Sequence, residues 1–441
     1  MGYSEAEGKS FIMKTTRKGI EVKNKEKITR SKRLAVTVAS LSAITLVLSA
    51  CSSSDTATDT SESAAATQST ESASEEAAAD TTPIKVGVLT DLTGAFGIVG
   101  QSNQAVAQFT IDEINANGGI LGRPVELVVV DSASDPAVGA TVASKLVNED
   151  QVDVVIGGVA SNMREAIKDI IATRGDTTYI WPASYEGKEC TPNVWSVGAV
   201  PNQQVDPVVQ KLLDEGNKTF FLAGNDYLYP REVLAQVRTV VEAGGGEIVG
   251  EEYVPLDVTD TSSLVSKIIA SEADVLFEIV VLPATAPFIQ GLVDGGYKGE
   301  IVGTLFDEAI NGIIGTQADG LLGIQDYFAT IDDEFSKTKV AEFQAAFPEQ
   351  AGLFTATFNA PAWYRGLYLW KTAVEAAGTT DTAAVEAAMD SASYDALIGG
   401  PARIVPGTRH AELTMYLGRM NADTSVTIIE PLGVVTPEQC G

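Results

Sequence analysis

Ile84-Lys85-Val86-Gly87-Val88-Leu89 is a short, nearly continuous apolar run, and Asp91-Leu92-Thr93-Gly94-Ala95-Phe96-Gly97-Ile98-Val99-Gly100 follows it directly. An apolar run closed by a Gly-rich loop is how a central parallel strand reads, because such a strand is buried on both faces. Next, Ser102–Asn117 carries Val106, Phe109, Ile111 and Ile114, a pattern compatible with a helix packed on a sheet, and Asn117-Gly118-Gly119 ends it as a left-handed cap would. Val125–Val130 repeats the strand pattern. Helix Pro136–Asn148, strand Val152–Ile156, helix Asn162–Thr173 and strand Thr178–Trp181 extend the alternation. The stretch predicts one β-α-β-α-β-α-β lobe with right-handed crossovers.

The alternation then restarts. Strands are expected at Thr219–Ala223, Glu247–Tyr253, Asp274–Val280 and Glu300–Thr304, with helices at Arg231–Glu242, Leu264–Ser271 and Ala284–Asp294 between them. Gly323–Thr330 and a long helix at Phe358–Ala376 are expected to return to the first lobe, and Arg403–Val405 and Thr414–Met420 to finish the second. The expected class is α/β, with two Rossmann-like doubly wound lobes. Residues 83–200 plus 325–394 form lobe 1, and residues 201–324 plus 395–441 form lobe 2. In open α/β sheets the carboxyl ends of the strands form the ligand crevice, so the loops after the strands are the places to look for function.

Upstream of the folded part, Arg30-Ser31-Lys32-Arg33 precedes an apolar run from Leu34 to Val47, the length of a signal-peptide core and short for a membrane span. The run ends in Leu48-Ser49-Ala50-Cys51, which resembles a bacterial lipobox. The expectation is a lipoprotein signal peptide over residues 1–50, with Cys51 lipidated and anchoring the chain to a membrane. Ser52–Thr82 contains no aromatic or branched aliphatic residue and reads as a disordered tether. The chain carries −29, and its first fifty residues hold ten basic and four acidic groups, so the remainder is near −35. So acidic a surface argues against nucleic acid as a partner. One His and three Cys leave no cluster for a transition metal. With Cys51 set aside, Cys190 and Cys440 can pair in a compartment where disulfides persist; two free thiols are the alternative.

Gly94, Gly97 and Gly100, with Asp131 at the end of the next strand, imitate a dinucleotide fingerprint, but the spacing is GxxGxxG and the acid lies 31 residues beyond Gly100. No cofactor is expected. With His410 as the single histidine, no Ser-His-Asp constellation is signalled, and no enzyme is expected. The informative residues sit at strand ends: Ser161, Trp181, Tyr185, Tyr227, Tyr229, Glu278 and Phe306. Aromatics of this kind are commonly core or hinge packing. Tyr and Trp where chains leave strands also suit a pocket gripping a small solute.

At these residues the chain resembles the type I periplasmic binding proteins, in the urea and short-chain-amide branch of the Leu/Ile/Val-receptor family. The resemblance rests on Asp91-Leu92-Thr93-Gly94, Asp131-Ser132-Ala133-Ser134-Asp135-Pro136, Tyr185-Glu186-Gly187, Pro192-Asn193-Val194, Pro201-Asn202-Gln203-Gln204 and Asn225-Asp226-Tyr227-Leu228-Tyr229-Pro230-Arg231. It implies two lobes joined by three crossings that close on a small-molecule solute, without catalysis. It also implies delivery to an ABC permease and its ATPase subunits. By position Ser161, Tyr227 and Tyr229 match residues that hold the solute. The chain departs from the branch at Trp181 and Ala183, where a tyrosine and a threonine are usual, and at Glu278 and Leu305-Phe306. An unpartnered buried carboxylate is costly. Glu278 in the cleft would therefore favour a guanidinium- or amine-like solute beside an aromatic box, whereas Glu278 paired to a base would leave an ordinary amide or urea. Receptors for branched-chain or other amino acids, and a ligand sensor or co-receptor, remain the alternatives.

Overall fold

The computed structural model describes residues 81–349 and 360–440. Cys51, the signal segment and nearly all of the tether lie outside them. No described helix is long and apolar enough to cross a membrane.

The first half of the sheet grows from the stretch that opens the fold. Ile84–Thr90 (β1) pairs in parallel with Val125–Asp131 (β2) on one side and Val154–Gly157 (β3) on the other. Thr178–Trp181 (β4) and Val194–Ser196 (β5) continue outward, giving the order β2-β1-β3-β4-β5. Helices Gly97–Ala116 (α1), Pro136–Lys145 (α2) and Ser161–Lys168 (α3) make the crossovers. The start of α2 is encoded locally: Asp135 caps it by accepting from the N–H groups of Ala137 and Val138 at 2.7 and 3.3 Å, and Pro136 occupies the first turn. Asp131, the acid of the imitated fingerprint, accepts from the backbone of Leu92 and Ala133 and from the Thr93 hydroxyl, so it ties the first loop to the second. At the end of β3, Gly157 has φ 145° and would drive a Cβ into the Leu89 carbonyl. Only glycine lets the chain turn there into α3.

The second half contains Pro201–Asp214 (α4), Thr219–Asn225 (β6), Leu228–Ala243 (α5), Glu247–Val254 (β7), Ser262–Ser271 (α6), Val275–Ile279 (β8), Thr285–Asp294 (α7), Glu300–Gly303 (β9), Glu308–Ile314 (α8) and Leu322–Gln325 (β10). Its strand order is β7-β6-β8-β9-β10. Glu334–Ala346 (α9) and Ala360–Ala377 (α10) then pack back on the first half. Phe343 meets Phe109 edge-on, Lys339 pairs with Glu113, and Gly366 lies bare against Ile156, Ile180 and Val197. Thr382–Met389 (α11), Ser393–Tyr394 (β11), Ala402–Val405 (β12), His410–Met420 (β13) and Val426–Val435 (β14) complete the chain.

Three crossings join the halves: β5 to α4, β10 to α9, and β13 itself. β13 pairs with β5 through His410 and Ser196, then runs antiparallel to β10 from Tyr416 to Arg419. This makes one curled mixed sheet of both halves. Two strands sit differently from the sequence expectation. Leu322–Gln325 pairs with β9 and β13 in the second half rather than returning to the first, and Ala402–Val405 pairs with β11 and the opening residues of β13 beside the first half. The return to the second half therefore happens within β13, not at residue 395.

Candidate functional site

The loops after β1 and β3 face those after β6 and β7 across a cleft. On the first-half wall, Ser161 is the first residue of α3 and is buried. Its Oγ donates to Glu186 Oε2 at 2.6 Å. The other Glu186 oxygen accepts from Arg164 Nη2 at 2.5 Å. Arg164 lies one turn beyond Ser161 on α3, is 2% exposed, and packs its guanidinium 5.2 Å from the Trp181 ring and 4.5 Å from the Tyr185 ring. Burial alone would lower its pKa, but the Glu186 carboxylate beside it holds it above the ordinary arginine value. Glu189 follows, 3.6 Å from Arg164 Nε and 2.8 Å from Lys168 Nζ. Trp181, Ala183 and Tyr185 are fully buried. The two aromatics do form a slot for a cation, and the protein's own Arg164 fills it.

The same loop reaches the hinge and the C-terminus. The Tyr185 hydroxyl bonds to His410 Nε2, and His410 Nδ1 bonds to the Thr408 carbonyl. Burial pushes the imidazole down to about 4. A neutral ring with its proton on Nδ1 satisfies both contacts. Cys190 and Cys440 are disulfide-bonded with Cα atoms 5.6 Å apart. The Lys188 N–H donates to the Gln439 side chain, and Lys188 Nζ lies 2.7 Å from Glu232 on α5, so the loop touches both the tail and the second half.

On the second-half wall, Tyr227 precedes α5 and is partly buried, while Tyr229 is buried. The Tyr229 hydroxyl donates to Gln204 Oε1 at 3.2 Å and bonds to Thr304 Oγ1 at 2.9 Å. Burial raises both phenol pKa values, and Glu186 across the cleft adds to the rise. Glu278 lies in β8, is 1% exposed, and accepts from the Val280 N–H at 2.8 Å through Oε2. No Lys or Arg lies within ion-pair distance of it among the described residues. Burial pushes its carboxyl up to about 8. Glu278 and Phe306 converge on Gly303, where a Cβ would come 2.9 Å from Glu278 Oε1 and 2.8 Å from the Phe306 ring. That glycine makes room for a carboxylate and a ring side by side.

A cavity of about 330 Å³ opens between the walls, lined by Phe96, Asn162 and Glu165 from one half and Tyr227, Leu228 and Leu256 from the other. Its volume is at the small end of ligand pockets. The sequence reading omitted Arg164, Glu186, Gln204 and Thr304. Glu186 lies inside the Tyr185-Glu186-Gly187 motif, which was the available signal for it, whereas Arg164, three residues beyond Ser161, carries none.

A family model described as periplasmic binding protein matches residues 83–425. The Leu/Ile/Val-binding protein BraC3 of Rhizobium johnstonii is 28% identical over 319 residues, covering 68% of this chain and 81% of that protein. Two solved structures share the fold. A solute-binding protein of an ABC transporter from R. palustris, in complex with benzoate, superposes with a TM-score of 0.72 at 21% identity over 82% of this chain and 99% of that one. LivJ from Streptococcus pneumoniae, a branched-chain amino acid transporter substrate-binding protein in complex with isoleucine, gives 0.69 at 20% identity, over 81% of this chain and 100% of that one.

Proposed function

The chain belongs to the periplasmic binding protein family, in the Leu/Ile/Val-binding group that serves ABC transporters, and on that premise we propose that it is a lipid-anchored receptor for a small nitrogen-rich solute. Urea, a short-chain amide or a guanidinium- or amine-like compound would sit between Ser161 on the first-half wall and Tyr227, Tyr229, Glu278 and Phe306 on the second. Closure of the two halves would present the loaded form to a permease and its ATPase subunits, with Cys51 as the membrane anchor. The reading involves no catalysis.

The observation that carries it is Glu278. Glu278 has no basic partner among the described residues and burial pushes its carboxyl up to about 8; a cation would partner its ionised form, and a solute carbonyl would accept from its neutral form. Phe306 beside it suits a flat or cationic nitrogen group. A branched-chain amino acid is the second reading, supported by the relatives' names: its ammonium group would answer Glu278 equally well. Thermal unfolding of the purified chain against urea, formamide, acetamide, guanidinium, methylammonium and branched-chain amino acids tests the reading. A ligand at 100 times its dissociation constant adds about 2.7 kcal/mol, a shift of several degrees. A response to urea, an amide or a nitrogen cation supports the proposal. A response to amino acids alone replaces it with the second reading, and a flat panel removes both.

A further inference from the structure

The start of a helix is ordinarily a site for anions, because its first N–H groups and its dipole favour negative charge. At the start of α3 a carboxylate of the protein itself takes the hydroxyl of the first residue. Glu186 is buried, accepts the Ser161 hydroxyl at 2.6 Å, and is held by Arg164 at 2.5 Å. The N–H of Met163 is also taken, by Asn162 Oδ1 and the Ala160 carbonyl, both at 2.9 Å. A carboxylate paired to a guanidinium has no hydrogen to give, so the Ser161 proton is committed to Glu186 and only the oxygen lone pairs remain for a solute. From this we infer that Glu186, fixed by Arg164, is a specificity-determining residue that makes Ser161 a hydrogen-bond acceptor and shuts carboxylate-bearing solutes out of the cleft.

The opposite wall carries no basic side chain against Glu278 among the described residues. Glu278 Oε2 is taken by the Val280 N–H, and the Tyr229 hydroxyl hydrogen is spent on Gln204 Oε1. Gln204 Nε2 is buried on this wall without a hydrogen-bond partner, as are Nε and Nη1 of Arg164 and Nε1 of Trp181 on the first. A solute with several N–H groups and one neutral acceptor, such as a carbonyl oxygen, completes this set. A solute carboxylate would bring two anionic oxygens against Glu186 and against a serine that has no proton to offer. The inference rests on the proposed capture of a small nitrogenous solute and narrows it, separating this cleft from receptors for amino acids and benzoates.

The test is calorimetric titration of the purified full chain with matched acid and amide probes: acetate and acetamide, glycine and glycinamide, benzoate and benzamide. The expected result is that, in every pair that binds, the amide is tighter by tenfold or more. An acid that binds as tightly as its amide overturns the inference and leaves solute capture standing. A panel in which neither member of any pair binds, and in which urea and guanidinium also fail, removes the inference together with the functional reading. Glu186→Gln returns a proton to Ser161, because the new amide can donate to it. The acid-to-amide ratio should then move at least tenfold toward the acid, whereas a general loosening of the fold would weaken both members alike. If that variant does not fold, Ser161→Ala decides the matter with the Arg164–Glu186 pair intact. Amide binding weakened about tenfold supports the assignment, and unchanged binding overturns it.

Discussion

The two walls of the cleft deal with buried charge in opposite ways. On the first-half wall Arg164, Glu186, Glu189 and Lys168 neutralise one another, and the aromatics Trp181 and Tyr185 enclose the arginine. On the second-half wall Glu278 stands in an apolar strand with a single backbone donor. A charge settled within the protein belongs to the architecture: taking away one partner strands the other, and no solute is required. A carboxyl without an internal partner is kept neutral by burial, which leaves it available to a solute under the proposed function. An arginine over aromatic rings and a carboxylate beside an aromatic ring look alike in a sequence. Only the presence or absence of an internal partner separates scaffold from site.

If the first wall is a closed ion network, breaking it should give the largest effect on stability. Arg164→Met keeps much of the side-chain volume but leaves Glu186 and Glu189 buried without their guanidinium. A loss of about 3–5 kcal/mol is expected, read by calorimetric melting because urea and guanidinium are themselves candidate solutes. Lys267→Ala is the control. Its pair with Glu252 is also close, at 2.7 Å, but largely exposed, and should matter by less than about 1 kcal/mol. Equal effects for the two variants would break the comparison.

The disulfide sharpens the same contrast, since it secures only the first wall's loop. Cys190→Ser with Cys440→Ser should lower stability by about 2–4 kcal/mol. Intact-mass measurement of the unreduced wild type should find neither thiol free for alkylation. The change should spare the interactions of Glu278, so solute affinity should fall less than stability does. A variant that melts like the wild type would mean that Asn202, which holds the tail through the Thr436 carbonyl and the Glu438 N–H, is sufficient without the cross-link.

The strands of both halves were legible because β1, β3, β6 and β8 are buried on both faces and leave an unbroken apolar signature. α4 was not, since Asn202-Gln203-Gln204 and the internal Pro207 hide a helix whose buried polar groups bond the returning tail and β13. The sides taken by Leu322–Gln325 and Ala402–Val405 were also invisible. A short apolar strand does not say which edge it joins, and β13 serves both edges. In the site, Tyr229, Glu278 and Phe306 could be picked as unusual residues at strand ends. Arg164 could not, because a charged residue on an amphipathic helix reads as a solvated face. Its partner Glu186 lies 22 residues away, and only the return of the loop after β4 to α3 brings the two together.

The smallest expected effect tests the second wall most directly, through the proton on Glu278. Burial pushes its carboxyl up to about 8, so the folded protein holds a proton there that the unfolded chain has lost above about 4.5. The fold therefore loses stability as pH rises through this window, because the native state binds more protons than the unfolded one. A cationic solute must displace the proton. Guanidinium affinity should therefore strengthen with pH, by up to about tenfold per unit, or about 1.4 kcal/mol, well below pH 8, and level off above it. Urea gives the opposite sign. A protonated Glu278 can donate to its carbonyl, so affinity should be flat below pH 8 and fall above it. Glu278→Gln should abolish either slope. The direction of the slope identifies which kind of nitrogen solute the second wall accepts, and a slope that survives in Glu278→Gln would place the titrating group elsewhere and return Glu278 to the architecture.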